Sequence, residues 1–449
     1  MNWQEKILAK LKLSGNRRKI VRNLFWSVMG KVITLAGNLL VGIIIARYLG
    51  AEKYGIMNYV ISFVALFQIF ALFGLDNIEV REEAKNEKDV NTIIGTAFII
   101  KMVMAVITFF ATVIVSFLIE DDINITIYVA IYALSVIANT LNVIRNRFTS
   151  LVQNEFVVKS EISRTCIGIV IKLALWFLKV DLIWFIAAMA FDFILLGGGY
   201  IVAYKVKLGS IKDWKFDGKY ASFLIKEAFP LLLTSAAVFI YQRIDQVMIG
   251  NMVDKEAVAY FATATRFVEI LMFVPAMLTH TITPILVETR NKSERQYVFK
   301  AQKFMNITLW SSVVFAFIMS ILSYWIIKYT YGVQYMEAVP IMQVLAFKVP
   351  AFALSTTAGA MIVIEGLQKY AIIRDIFGCA VCITLNWILL SEFGAMAAAA
   401  IAIASYICAG YIADSFIPQY RHLFRQQTEA LFRGWKDIIK LRQIIRPNY

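Results

Sequence analysis

The chain has 449 residues, of which 60% are hydrophobic, and it carries a formal net charge of +14 at pH 7. A soluble chain of this length could not bury so much apolar surface in one core, so the mean hydropathy of +0.68 indicates an integral membrane protein. Most of the basic residues lie in alternate loops between apolar stretches, as expected of loops that face anionic lipid, and the positive charge therefore does not indicate a nucleic-acid partner.

The first 19 residues precede the first apolar run. Trp3, Ile7, Leu8 and Leu11 recur near helical spacing among basic residues, which predicts a cytoplasmic amphipathic segment over 1–19. The apolar run that follows is too long for the hydrophobic region of a cleavable signal peptide.

Twelve apolar stretches follow, each near the length of about 20 residues that a membrane-crossing helix needs. They predict an all-α integral membrane protein, and the distribution of basic loops places both termini in the cytoplasm. The predicted transmembrane helices are 20–46, 54–75, 91–119, 123–150, 157–178, 181–204, 222–250, 256–287, 299–327, 335–364, 370–391 and 394–417.

The basic loop KVKLGSIKDWKFDGK divides these helices into two sets of six. An even number of helices gives both sets the same orientation, which predicts two lobes related by a pseudo-two-fold axis along the membrane normal, with a cavity between them. RYLGAEKYG and NMVDKEAVA occupy equivalent loops and are weakly alike. The predicted parts are an N-lobe over 20–204, a cytoplasmic linker over 205–221 and a C-lobe over 222–417.

Prolines lie in the predicted helices of the C-lobe and are absent from those of the N-lobe. Each removes a backbone hydrogen bond, so the pattern predicts either packing irregularities or bending of helices seven, eight and ten. They are Pro230, Pro275, Pro284, Pro340 and Pro350.

The tail over 418–449 is basic and carries apolar residues near helical spacing. It is predicted to form a second cytoplasmic amphipathic helix.

The stretch YQRIDQVMIG places Arg243 and Asp245 in the seventh predicted helix, where Leu or Val is usual. A charge at the centre of a transmembrane helix costs roughly 2.5–3.5 kcal/mol unless it faces protein or water. At about 100° per residue, Gln242, Arg243 and Gln246 share one side of the helix, with Asp245 just beyond Gln242. This arc is predicted to face the interior, where Arg243 either contacts a phosphate or pairs with a neighbouring helix.

Other basic residues within predicted helices are candidates for the same substrate cavity. Lys31, Lys172 and Lys348 have no acid nearby in the sequence and are candidate contacts for an anionic substrate. Arg266 is a fourth candidate, or it neutralises Glu269 one turn away.

Acidic residues within the predicted helices are candidates for coupling transport to a proton or sodium ion, or for pairing with a base. Asp192 and Asp414 are lone acids in helices six and twelve, and Asp245 and Glu269 complete the set.

Two further ionisable residues are interpreted structurally. Lys101 lies near a cytoplasmic helix end and is expected to extend to the interface. His280 is expected to be a hydrogen-bonded core residue.

No metal, cofactor or catalytic site is predicted. Cys379 and Cys382 have no second cysteine pair and no nearby histidine, so zinc is not expected, and all four cysteines are interpreted as small core residues. A Walker motif and a Ser/His/Asp constellation are absent from the sequence. The short predicted outer loops argue against a polymerase or ligase.

Three segments resemble segments of polysaccharide-exporting membrane proteins. They are ARYLGAEKYG at 46–55, FALFGLDNIEVREEAK at 70–85 and YQRIDQVMIGNMVDKEAVAYFATATRFVEIL at 241–271. Over roughly residues 20–417 the chain resembles O-antigen flippases of the polysaccharide transporter family. That family belongs to a superfamily that also holds multidrug and toxic-compound exporters and the lipid II flippase.

The resemblance implies a multi-pass protein of the bacterial inner membrane. Such a protein would move undecaprenyl-pyrophosphate-linked oligosaccharide from the cytoplasmic to the periplasmic leaflet by alternating access. Implied partners are this lipid-linked substrate and membrane lipids, with a polysaccharide polymerase and chain-length proteins as candidates.

Alternatives remain open within and beyond this family. Basic residues outnumber acidic residues inside the predicted helices, which favours an anionic substrate over the small cations of a multidrug exporter. A flippase for lipid II or a teichoic-acid precursor fits the sequence as well. A membrane enzyme of glycan assembly and a structural scaffold fit less well.

Overall fold

The computed structural model describes residues 15–85 and 88–439. All regular elements in these two ranges are helices, which confirms the predicted all-α class. The α-helices are α1 (Gly15–Leu72), α2 (Asp76–Lys85), α3 (Val90–Ile119), α4 (Ile123–Ala138), α5 (Asn142–Ser150), α6 (Asn154–Phe177), α7 (Leu182–Lys207), α8 (Gly218–Met252), α9 (Lys255–Lys292), α10 (Glu294–Thr330), α11 (Ala338–Leu345), α12 (Lys348–Glu365), α13 (Ala371–Ile407), α14 (Ala413–Phe416), α15 (Arg421–Arg433) and α16 (Trp435–Ile439).

Within the described ranges, eight helices are long and apolar enough to cross a membrane, and nine if the two parts of α8 count as one. This supports a multi-pass membrane protein. The total of twelve and the cytoplasmic location of the termini remain predictions. The N-terminal amphipathic segment falls largely outside the described residues, which begin at residue 15.

Glycines mark kinks inside two long helices, near the loops predicted between the first and second and between the eleventh and twelfth transmembrane helices. Gly50 has a φ of 77° inside α1, and Gly394 has a φ of 56° inside α13. Positive φ values suit glycine because it has no Cβ to collide with the backbone. Each of these long helices therefore contains two of the predicted transmembrane helices, joined by a one-residue break.

The tenth predicted helix, 335–364, is two helices instead of one. It is divided into α11 and α12, and Pro340 and Pro350 each lie at the third position of one of them. An N–H group in the first turn has no partner within its helix, so proline breaks no hydrogen bond there. The two prolines therefore leave the hydrogen bonds of both helices intact, and bending of the tenth predicted helix during transport stays a prediction.

The chain forms two compact units. The first comprises the residues up to Tyr48 together with Phe67–Leu232, and the second comprises Leu49–Leu66 and the chain from Leu233 onward. Both boundaries lie within helices, in α1 and α8, and not in the linker predicted over 205–221. The lobe limits at 204 and 222 and the pseudo-two-fold relation remain predictions.

The first unit has its core between α3, α5, α7 and the first part of α8. Ile94, Phe148, Tyr204 and Leu224 are buried in it. The predicted linker packs on the same core, since Trp214 Nε1 donates a hydrogen bond to the Tyr204 hydroxyl at 3.1 Å. The linker is thus a folded part of this unit.

The second unit contains two buried apolar clusters. One gathers residues of α10, α12 and α15, such as Met305, Met361 and Leu423. The other surrounds Tyr241 and Tyr406, whose rings meet edge to face with centroids 5.3 Å apart. Cys382 of this second cluster contacts the polar residues Asp245 and Asn386.

Helix α15, in the described part of the tail, has a buried and an exposed face, and the cytoplasmic location of the tail stays a prediction. Leu423, Gln427 and Ala430 are buried on one face, and Trp310 Nε1 of α10 donates to the Ala430 carbonyl at 2.9 Å. Arg421 and the other arginines of the helix lie on exposed or partly exposed positions. The helix is therefore attached to the second unit by its apolar face.

Candidate functional site

The polar residues of α8 are divided between a buried and an exposed side. Asp245 is 1% exposed and Gln246 6% exposed, whereas Gln242 is exposed and Arg243 is half-buried. Tyr241, Asp245 and Ile249 form the buried stripe, as their four-residue spacing requires. The arc predicted from the sequence therefore does not face a single environment.

Asp245 is the centre of a buried polar cluster in the second unit. Its Oδ1 accepts a hydrogen bond from Asn386 Nδ2 at 2.8 Å, and the Cys382 thiol lies 3.4 Å from the same oxygen. Asn386 and Cys382 both come from α13 and are fully buried. A carboxylate in such surroundings needs donors or a cation, since an unpaired charge in an apolar region is very costly.

Lys348 supplies a positive charge to this cluster. It opens α12, is 6% exposed, and its ammonium lies 5.2 Å from the centre of the Tyr406 ring. Asp245 and Lys348 are thus two buried ionisable groups in the same part of the second unit.

Arg243 has a different environment. Its Nη2 lies 3.6 Å from Glu269 Oε1 of α9, and the two side chains are 37% and 47% exposed. This is the neighbouring-helix pair that the sequence offered as the alternative to a phosphate contact. Because the pair is long and accessible, the guanidinium keeps hydrogen-bond donors that an anionic ligand can use.

Gln246 and Arg266 contact the segment Leu49–Leu66 of the same unit. Ser62 Oγ donates to Gln246 Oε1 at 2.6 Å, and Arg266 Nη2 donates to Asn58 Oδ1 at 3.4 Å. The guanidinium also lies 5.8 Å from the Tyr54 ring centre. These contacts support a packing role for Gln246 and Arg266. Their contact with a substrate stays a prediction.

In the first unit, Lys172 and Asp192 form a buried pair. Lys172 Nζ of α6 donates to Asp192 Oδ2 of α7, and both side chains are largely buried. The two residues were predicted as separate candidates because they are 20 positions apart in the sequence. Lys31 of α1 is exposed although it lies in an apolar helix, which leaves it accessible to a ligand.

Asp414 is fully buried in the second unit beside Arg374 of α13. Arg374 Nε lies 3.6 Å from Asp414 Oδ1 and donates to the Ala409 carbonyl at 3.0 Å. Its burial favours a structural role for Asp414, whose predicted ion coupling remains a prediction.

The sequence interpretation missed a polar cluster in the first unit. Lys101 is 0% exposed, and its Nζ lies 2.7 Å from Asp76 Oδ1 and 2.6 Å from Glu79 Oε1. The expectation that Lys101 extends to the interface is therefore wrong. The sequence feature that could have predicted this cluster is the spacing of Asp76, Glu79 and Glu83. They are three and four residues apart, which places three carboxyls on one face of α2.

Sequence comparison assigns most of the chain to one family. A family model described as polysaccharide biosynthesis protein matches residues 20–290. No curated protein sequence matches the chain significantly.

The fold is similar to those of membrane flippases and transporters. The lipid II flippase MurJ in an inward closed conformation matches with a TM-score of 0.68 and 13% identity over 96% of this chain and 94% of that one. An inward-facing multidrug resistance MATE family transporter of the MOP superfamily matches with a TM-score of 0.67 and 13% identity over 88% and 96%. A MOP superfamily transporter from Pyrococcus furiosus Vc1, described as having a binding pocket of reverse polarity, matches with a TM-score of 0.60 and 13% identity over 92% and 96%. At such identities the likeness shows the fold alone.

Proposed function

The chain belongs to the polysaccharide biosynthesis protein family, and we propose that it is a flippase for undecaprenyl-pyrophosphate-linked oligosaccharide. It carries this lipid-linked repeat unit of an O-antigen or a similar surface polysaccharide from the cytoplasmic to the periplasmic leaflet of a bacterial inner membrane, by alternating access. Its fold is that of flippases and exporters and not of enzymes.

The observation that carries the proposal is the accessible guanidinium of Arg243 within an apolar helix. A pyrophosphate cannot cross about 30 Å of hydrocarbon without cationic partners, because an unpaired phosphate there is very costly. Arginine binds phosphate with two parallel hydrogen bonds. Arg243 is only loosely held by Glu269 at 3.6 Å and can therefore exchange this carboxylate for a phosphate.

The buried pair of Asp245 and Lys348 supports coupling to a proton gradient. Coupling requires that Asp245 take up a proton from one side of the membrane and release it to the other, and this uptake neutralises its buried carboxylate. Among the described residues there is no group of three or more His, Cys, Asp or Glu side chains that could hold a metal ion.

A second candidate function is the export of small organic cations. It is favoured by the Glu269 carboxylate, which is 47% exposed and would remain negative if Arg243 turned away. Flippases of lipid II or of a teichoic-acid precursor share the pyrophosphate or phosphate chemistry and differ in the attached sugars. Polysaccharide polymerase and chain-length proteins would act on the flipped product.

The test is the location of the lipid-linked oligosaccharide in cells that lack this chain. We expect it to accumulate in the cytoplasmic leaflet, protected from a periplasmic glycan-modifying probe, and to become accessible when the intact chain is restored. Normal outward display, in cells without a second flippase, would contradict the proposal. Sensitivity of the same cells to cationic drugs, reversed by the chain, would favour the exporter.

A further inference from the structure

Three carboxyl groups and two basic groups meet in the first unit, outside the residues discussed for transport. Asp76, Glu79 and Glu83 lie along α2, Lys101 comes from α3, and Arg147 comes from α5. The charges do not balance, because the group has three carboxyls and two cations.

The charges next to this group are already paired with each other. Glu82 Oε1 lies 3.0 Å from both Arg81 Nε and Lys85 Nζ, and Arg81 also reaches Glu227 of α8 at 2.9 Å. These side chains are at the surface, apart from Glu82. They do not supply the missing positive charge.

Glu79 has an ion-pair partner on one oxygen and a hydrogen-bond donor on the other, and its Oε1 accepts no well-aligned hydrogen bond. Lys101 Nζ contacts its Oε1 at 2.6 Å, and Asn146 Nδ2 donates to its Oε2 at 2.5 Å. Both Lys101 and Asn146 also contact Asp76 Oδ1, at 2.7 and 3.1 Å. The two carboxylates thus share Lys101 as a cation and Asn146 as a hydrogen-bond donor.

Glu83 is less well compensated although its side chain is 1% exposed. Its Oε2 accepts a hydrogen bond from Ser150 Oγ at 2.8 Å, and Arg147 Nη1 is 3.7 Å away, beyond hydrogen-bond distance. Its Oε1 is buried without a hydrogen-bond donor. It also lies one helical turn from the charged Glu79, and like charges at this spacing repel.

A second, non-acidic side chain indicates the same deficit. Asn142 of α5 is 7% exposed and gives its Nδ2 to Asp76, but its Oδ1 is buried without a donor. Three buried acceptors of this group have no hydrogen-bond donor, namely Glu79 Oε1, Glu83 Oε1 and Asn142 Oδ1. Together with one negative charge in excess, they indicate that the group binds a proton.

We propose that Glu83 binds an exchangeable proton, held in the first unit by the charged group of Asp76, Glu79, Lys101 and Arg147. Glu83 is a carboxylic acid when it takes a proton from water and a carboxylate when it returns it, and the O–H bond at Glu83 is the only bond that changes. The Asp76 side chain is 36% exposed and connects the group to solvent through Lys101 and Asn146. This inference does not depend on which molecule is transported.

The test is to measure the Tm of the purified full-length protein as a function of pH. The Glu83→Gln variant is compared with its parent. Glutamine has the shape of the neutral acid, so the variant should match the parent at about pH 5 and lack the parent's fall in Tm of roughly 2–4 °C towards about pH 9. Both proteins carry His422→Gln, which removes a separate surface pair that also titrates. Glu82→Gln is the matched control, since that carboxyl is already paired, and it should keep the parent's pH profile.

A second measurement identifies the ligand. The infrared band of a protonated carboxyl should disappear from the parent as the pH rises, and Glu83→Gln should remove that change. A Glu83→Gln protein that fails to accumulate, that loses stability at low pH, or that keeps the parent's profile would overturn the proposal. So would a stabilisation of the parent by sodium but not by potassium at constant pH, because it would identify a metal cation as the ligand.

Discussion

The charged side chains discussed above fall into two groups, those that are buried and those that are partly exposed. Lys101 is 0% exposed and lies between two carboxylates, and Lys348 is 6% exposed and lies over the Tyr406 ring. Arg243 is 37% exposed and pairs at 3.6 Å. Removing one partner of a buried pair leaves the other charge uncompensated, whereas removing one partner of an accessible pair has a small effect on folding.

Arg243→Ala should therefore reduce transport without reducing the amount of folded protein. The loss of charged hydrogen bonds to a phosphate is worth about 1.5–3 kcal/mol, or roughly a tenfold or larger fall in transport rate. The measurement is the rate at which lipid-linked oligosaccharide becomes accessible in proteoliposomes. Arg243→Lys, which keeps the charge, should retain part of the activity. Unchanged transport by folded Arg243→Ala would remove this residue from the substrate path.

Residue pairs were the part of the site that the sequence could not predict. Helical periodicity gave the positions of Arg243 and Asp245 relative to each other, because both lie on one helix. It could not pair Lys172 with Asp192, or Arg374 with Asp414, because these contacts join different helices. His280, expected in the core, is exposed. A single sequence does not show which faces of neighbouring helices meet.

At the scale of helices, close backbone approach fixes where the segment Leu49–Leu66 lies in the second unit. A Cβ added at Gly55 would overlap the carbonyl oxygen of Lys255, and one added at Gly250 would overlap the Tyr59 ring. Tyr59 in turn donates to Asn251 Oδ1 at 2.8 Å. The glycines are thus required by packing and not by an unusual backbone conformation.

Gly55→Ala should destabilise the protein by about 1–3 kcal/mol, since the added methyl group meets backbone that cannot rotate away. The measurement is the Tm of the purified protein together with its yield. Gly359→Ala is the matched control, because this glycine lies inside α12 of the same unit with open space around its Cβ position. There alanine should be neutral or stabilise by up to about 1 kcal/mol. Equal Tm values for the two variants would contradict the close approach.

Helix α15 is attached to the second unit by a pair that depends on pH. His422 Nε2 lies 2.7 Å from Glu365 Oε2, and this hydrogen bond raises the pKa of His422 above its usual value of 6.5. A raised pKa means that the folded state binds the proton more tightly. The stabilisation is therefore complete below pH 6.5 and is lost as the pH rises through the raised value.

The expected contribution is below about 1 kcal/mol, because the His422 side chain is half exposed. His422→Gln should lower protection of α15 from hydrogen exchange at acidic pH and leave it unchanged at alkaline pH. Arg425→Gln, on the exposed face of the same helix, should leave the pH profile as it is. A profile that is the same with and without His422 would show that the pair does not hold the helix.

At the scale of the whole chain, composition and hydrophobic length predicted the class, and the family model and the flippase-like fold agree with it. The division into units was not predictable in the same way. Loop charge and length suggested a boundary at the linker over 205–221, but this linker packs on the first unit through Trp214. Contacts between residues far apart in sequence decide the boundary, and hydropathy contains no information about them.

The position of Leu49–Leu66 also has a consequence for biosynthesis. Tyr59 is made 192 residues before its partner Asn251, and at about 5–20 residues per second the ribosome needs roughly 10–40 s to cover that distance. For most of this interval Gln246, Asn251 and Arg266, which Ser62, Tyr59 and Asn58 contact in the second unit, have not been synthesised. The segment Leu49–Leu66 is therefore synthesised before the rest of the second unit. A C-terminal half produced alone would lack this segment and with it part of the core of that unit.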